Sequence, residues 1–285
     1  MNPPGERRQA RRARRVRRRR ARALRGERRV VFLLPNLITT AALLLGFWSI
    51  ISAAQGRFQQ AALGIVLAGI ADLLDGRVAR ATGTQSRFGA EYDSLSDVVA
   101  FGLAPALLFY HWALLPLGSR GWAIAALFAV CAALRLARFN ASEAPGSRDF
   151  QGLPSTFAGG MVAVIVWFVS WVGIEPPFGS AFGTFLVLAF AGLALGMVSS
   201  VPYFSLKSLR LPHGSTYPAL VALVLALVVL LLYPEPVMFT IGVGYVLSGP
   251  IRVLKRWRAR AREGASPLSP SAPLEPREES GPDVR

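Results

Sequence analysis

Six aspartates occur in this chain, and four of them, Asp72, Asp75, Asp93 and Asp97, fall within ADLLDGRVARATGTQSRFGAEYDSLSD at 71–97. Asp72 and Asp75 are three residues apart and Asp93 and Asp97 four apart, so on helices each pair shares a face. The Gly-bearing segment ATGTQSRFG separates the pairs, and a reversal of chain direction there brings the two faces together. Four carboxylates that close repel one another unless cations neutralise them. Oxygen-only ligands without Cys or His suit a hard divalent ion: Mg2+, Mn2+ or Ca2+. Four carboxylates are enough for two such ions, an arrangement fitted to phosphoryl chemistry because it offsets charge on attacking and leaving oxygens. The interleaved Arg77, Arg80 and Arg87 add cations that suit phosphate groups.

Two other uses compete for the same residues. Single Asp–Arg pairs at a membrane interface would be ordinary ion pairs. Four aspartates on two faces, with Gly76, Gly83 and Gly89 permitting close approach, exceed what ion pairing needs. Carboxylates in membrane segments also mark proton or cation transport. Here all four lie near one side, and no further acid appears deep in the later apolar segments to form a relay.

The elements that must position these residues are membrane helices. The chain has 285 residues, 53% of them hydrophobic and 17% charged, and a mean hydropathy of +0.42. Residues 37–54 form an 18-residue run without a charge, and comparable runs follow. The expected class is all-α: a polytopic helical membrane protein with about eight transmembrane helices, near 37–54, 58–75, 94–116, 121–138, 153–173, 180–202, 217–233 and 237–254. Three regions result: a basic cytoplasmic arm (1–33), a transmembrane catalytic domain (34–256) and a disordered cytoplasmic tail (257–285), whose proline-rich composition cannot bury a core.

The net charge of +16 would suit nucleic acid, but its distribution points to membrane topology. Fourteen of the 32 Lys and Arg residues precede the first apolar run, and eight follow residue 251. With the N-terminus in the cytoplasm, the outer loops carry only Arg57 and Arg120, as the positive-inside rule requires. The expectation is a multi-pass protein of the cytoplasmic (inner) cell membrane with both termini in the cytoplasm, binding no nucleic acid. The arm lacks the cleavage site of a signal peptide and suits anionic headgroups. The single Cys131 excludes an internal disulfide, and His111 and His213 are isolated.

The pattern Asp72-x2-Asp75-Gly76-x2-Ala79-Arg80-x8-Gly89-x3-Asp93-x3-Asp97 resembles, at every position, the motif of the CDP-alcohol phosphatidyltransferases. The resemblance implies a cytoplasm-facing cleft, two divalent metals (Mg2+ or Mn2+), a CDP-linked lipid donor and a homodimer. It implies that Asp72, Asp75 and Asp93 hold metal, with Asp97 near the second metal and acting as proton acceptor. Gly76 and Arg80 would contact the diphosphate or nucleotide of the donor. Ser86, Gly89, Asn36 and Thr39 are assigned to the donor site on the same ground.

The four aspartates do not identify the acceptor alcohol. The stretches LPNLITTAALLLGF (34–47), ALRLARFNAS (133–142) and FQGLPSTFAGG (150–160) resemble the bacterial phosphatidylserine synthases of this family, with Thr156 where relatives are expected to carry proline. The resemblance implies CDP-diacylglycerol and L-serine as substrates. Serine carries a carboxylate and an ammonium group, so Arg135 or Arg138 would hold the carboxylate and Asn140 or Glu91 the polar remainder. Glycerol 3-phosphate and inositol phosphate would also be received by arginines and stay open as acceptors. A choline-like acceptor would want an aromatic cage, and no aromatic cluster stands near the motif.

Overall fold

The computed structural model describes residues 33–141, 152–174, 180–201, 203 and 216–263. Residues 1–32, 142–151, 175–179, 202, 204–215 and 264–285, which include most of the expected basic arm and tail, lie outside these. No strand is found among the described residues, which form eight helices. They are α1 (Leu33–Ala54), α2 (Phe58–Thr82), α3 (Arg87–Leu117), α4 (Ser119–Ala141), α5 (Ser155–Val172), α6 (Ala181–Val198), α7 (Thr216–Leu232) and α8 (Pro234–Glu263).

Six of these helices are long and apolar enough to cross a membrane: α1, α3, α4, α5, α6 and the Pro234–Leu254 part of α8. A multi-pass membrane protein follows, but eight crossings do not. In α2 the charges of Asp72, Asp75, Arg77 and Arg80 leave only 58–71 uncharged. The 17 residues of α7 span about 25 Å at 1.5 Å per residue, short of the roughly 30 Å hydrocarbon layer. Helix α8 continues to Glu263, past the boundary expected at 256.

Lipid is as apolar as leucine, so these helices cannot associate by burying Leu against Leu; close packing of small side chains does that work. The buried face of α2 is accordingly Ala61, Ala62, Gly64, Ile65 and Ala68. Helix α5 lies at the centre, against α2, α3, α6 and α8, and buries Ala158, Gly159, Val162, Ala163 and Val166. A Cβ added at Gly159 would stand 2.7 Å from the carbonyl oxygen of Phe101, and one at Gly46 would stand 2.7 Å from Cα of Ala100. Helices α1 and α5 thus grip α3 at the same point. There α3 widens into π-helical turns over Val98–Leu103, a local irregularity often found beside functional sites. Further along, Phe190 of α6 stacks on Phe109 at 4.3 Å and on Phe128 at 4.7 Å, joining α3, α4 and α6.

Candidate active site

The chain reversal between the aspartate pairs is built by two local devices. Gly83, with φ +62, ends α2 in the left-handed conformation that favours glycine, and the Thr84 N–H donates back to Ala79 at 3.1 Å. Ser86 then caps α3, its Oγ accepting from the Gly89 N–H at 2.9 Å. The cap starts α3 at Arg87, seven residues before the expected span at 94. Asp93 and Asp97 therefore lie within α3, past its first turn.

This geometry brings Asp72, Asp75 and Asp93 together, with one carboxylate oxygen of each within 4.8 Å of the others. Asp97 stands one turn beyond Asp93 and interacts electrostatically with all three and with Arg135. Asp75 is buried, 4% exposed, and the other three are half-buried. Its Oδ2 accepts a 2.6 Å hydrogen bond from Thr39 of α1. The Thr39 hydroxyl also lies 3.1 Å from the Pro35 carbonyl oxygen, and its single proton serves one acceptor at a time. Ser96, one residue before Asp97, donates to the Thr39 carbonyl at 3.2 Å. One residue of α1 thus braces both acidic helices.

The other residues expected at the donor site make contacts with one another. Arg80 folds back along α2, its two terminal nitrogens 3.6 and 3.7 Å from where a Gly76 Cβ would be. A Cβ at Gly89 would meet Ser86 Oγ at 3.1 Å and Asn36 Oδ1 at 3.3 Å, so Asn36, Ser86 and Gly89 form one corner. Thr40 fixes that corner, donating to the Asn36 carbonyl at 2.7 Å and sharing a 2.9 Å hydrogen bond with Tyr92.

The three residues expected around the acceptor leave the end of α4 in different directions. Arg135 Nη1 donates to Ser155 Oγ of α5 at 3.0 Å. Arg138 Nη1 donates to the Val198 carbonyl at the end of α6 at 3.3 Å. Asn140 Nδ2 donates to Ser94 Oγ at 3.0 Å, beside Asp93. The bracing by Thr39 and Ser96 and the Arg135–Ser155 bond join residues 20 to 57 positions apart. Spacing within one helix carries no signal for such bonds.

An all-oxygen set of three converging carboxylates, with a fourth at hand, is the donor set of a hard divalent ion, and these residues fit one. With a divalent ion bound, such a set suits an anionic diphosphate, and the charge of Asp97 interacts with that of Arg135 on α4.

Comparison with known proteins agrees. The family model for CDP-alcohol phosphatidyltransferase matches residues 32–198. A Helicobacter pylori protein named CDP-diacylglycerol--serine O-phosphatidyltransferase is 39% identical over 63% of this chain and 75% of its own. A Mycobacterium tuberculosis protein of the same name is 33% identical over 84% of this chain and 85% of its own. An archaetidylserine synthase of Methanothermobacter thermautotrophicus is 35% identical over 60% of this chain and 69% of its own.

Proposed function

The chain belongs to the CDP-alcohol phosphatidyltransferase family, and from that premise we propose that it transfers the phosphatidyl group of CDP-diacylglycerol to the hydroxyl of L-serine, giving phosphatidylserine and CMP. The observation that carries this reading is the convergence of Asp72, Asp75 and Asp93 beside the Gly76–Arg80 turn. Relatives named for serine as acceptor support the choice of alcohol.

Asp72, Asp75 and Asp93, with Asp97 beside them, would hold one or two Mg2+ or Mn2+ ions. When bound, such ions neutralise the donor's diphosphate and the charge that develops on departing CMP. Arg80, lying over Gly76, takes the diphosphate, and the Asn36–Ser86–Gly89 corner adjoins it. Thr39 acts one step back, through Asp75. Asp97 stands outside the converging triplet, which leaves its carboxylate to accept the proton of the serine hydroxyl. The hydroxyl oxygen then bonds to the phosphatidyl phosphorus, the bond from that phosphorus to the anhydride oxygen breaks, and CMP leaves with the electron pair. Catalysis is mostly positioning and charge stabilisation. The asymmetry of basic residues supports placing this site on the cytoplasmic face of the inner membrane with both termini cytoplasmic. A homodimer, which the family resemblance implies, belongs to the same reading.

The test is an acceptor panel: purified protein in detergent with Mg2+ or Mn2+, CDP-diacylglycerol, and serine, glycerol 3-phosphate, inositol or inositol phosphate. Serine-dependent CMP release with phosphatidylserine as lipid product is expected. Transfer to a phosphorylated alcohol in place of serine would overturn the acceptor, and no release with any alcohol would return the aspartates to a transport role.

A further inference from the structure

Arg135 carries its charge toward the aspartates without being consumed by them. Its charge interacts with that of Asp97, yet among the described residues its one side-chain hydrogen bond is Nη1 to Ser155. Its Nε is buried with no partner. A buried donor left unpaired is costly, more so on a charged group, so an acceptor that arrives during function is the natural explanation. Nε–H shares an edge of the guanidinium with Nη2, and that edge matches a carboxylate with two parallel hydrogen bonds. Arg138 is exposed and engaged at the end of α6 and elsewhere.

Ser155 is fully buried at the first turn of α5, and the segment leading into it is pinned. The Gly152 N–H donates to Val201 and the Leu153 N–H to Gly196, each at 2.9 Å. Gly152 has φ +84, and a Cβ there would stand 2.6 Å from the Met197 carbonyl oxygen, so glycine is required on both counts. The pinned segment fixes Ser155, and Ser155 occupies the Nη1 end of Arg135, leaving the Nε–H on the opposite edge without a partner.

We propose that Ser155 is a positioning residue for acceptor selection: it orients Arg135 so that the Nε–Nη2 edge receives the carboxylate of the acceptor serine. This rests on the reading above that serine is the acceptor. A phosphate monoester would suit the same edge, so the shared chemistry is a small anion carried by the acceptor alcohol.

The experiment uses the full chain in detergent, following CMP release at saturating Mg2+ with L-serine, L-serinamide (serine without the carboxylate charge) and glycerol 3-phosphate. Ser155→Ala is expected to raise the KM for serine about five- to tenfold, the loss of one hydrogen bond. The KM for CDP-diacylglycerol should move less than about twofold, and kcat/KM for serine should fall toward that for serinamide. In an Arg135→Gln background, Ser155→Ala should add nothing, because the serine acts only through the arginine. Ser155→Thr, which keeps the hydroxyl, should keep the wild-type KM. Equal losses with serine and serinamide, a fall in kcat at constant serine KM, or additive effects of the two substitutions would overturn the proposal. Should Ser155→Ala fail to give a monodisperse detergent peak, Arg135→Gln alone decides: it must remove the preference for serine over serinamide. A wild-type protein that transfers to glycerol 3-phosphate and not to serine overturns the parent reading instead, whatever the variants do.

Discussion

Replacing Thr39 with valine separates two roles for a residue that the sequence assigns to the donor and the structure sets against Asp75. Valine keeps the branched shape and removes only the hydroxyl. The bond lost is the 2.6 Å donation to Asp75 Oδ2, within the length range of charge-assisted O–H···O hydrogen bonds. Asp75 is 4% exposed, so water cannot readily replace the donor. Hydrogen bonds to charged groups contribute about 1.5–3 kcal/mol, and each 1.4 kcal/mol is tenfold. The carboxylate should therefore lose roughly 10- to 150-fold of its hold on a divalent ion. Substitution of groups that orient metal ligands typically costs about 10- to 100-fold, which agrees.

The assay is initial CMP release as a function of Mg2+ at fixed donor, and then as a function of CDP-diacylglycerol at saturating Mg2+. Thr39→Val should raise the half-activating Mg2+ concentration at least about tenfold and leave the donor KM at saturating metal unchanged. Thr39→Ser, which retains the hydroxyl, should titrate like the wild type. An unmoved Mg2+ midpoint refutes the bracing role. A shifted donor KM at an unmoved midpoint would return Thr39 to direct contact with the lipid.

Asp97→Asn removes the proposed proton acceptor with almost no change of shape and should lower serine-dependent kcat by about 10²- to 10⁴-fold; activity within tenfold of wild type would end that assignment. Gly159→Ala would force a Cβ to within 2.7 Å of the Phe101 carbonyl oxygen, a backbone atom. It should lower stability by about 1–3 kcal/mol, the usual cost of overpacking, read as a lower Tm in detergent. The neighbouring Gly160→Ala meets nothing within 4 Å and should be tolerated; equal shifts for the two would show that the grip on α3 is not tight.

How much of this was legible in the sequence divides along one line. Asp72/Asp75 and Asp93/Asp97 could be placed because helical periodicity puts each pair on one face, and Gly83 with the Ser86 cap turns one face toward the other. The apolar runs likewise located the helices, and the Ser86 cap extends α3 seven residues ahead of the apolar run that marked its span. Illegible were the bonds between helices: Thr39 to Asp75, Arg135 to Ser155, Asn140 to Ser94. Each depends on how two helices cross, and the glycines that let helices approach, such as Gly64 between α1 and α2, Gly102 between α3 and α4, and Gly46 and Gly159 against α3, look interchangeable along the chain.

Those glycines tie the chemistry to the core. Phe101, Ala104 and Leu108 follow Asp97 at four, seven and eleven residues and are at most 1% exposed. One stripe of α3 thus begins as half-buried carboxylates and continues as buried core, with the π-helical turns at the junction. Gly46 and Gly159 press on Ala100 and Phe101, one turn or less from Asp97. In membrane helices held by close backbone contact, a shift there would be transmitted along a stiff helix to Asp97 and Asp93. The geometry of the carboxylates is therefore set as much by the absence of side chains at two glycines as by the hydrogen bonds that hold the acids. This makes Gly159→Ala a probe of the site as well as of the fold: alongside its lower Tm it should raise the Mg2+ requirement, whereas Gly160→Ala should change neither.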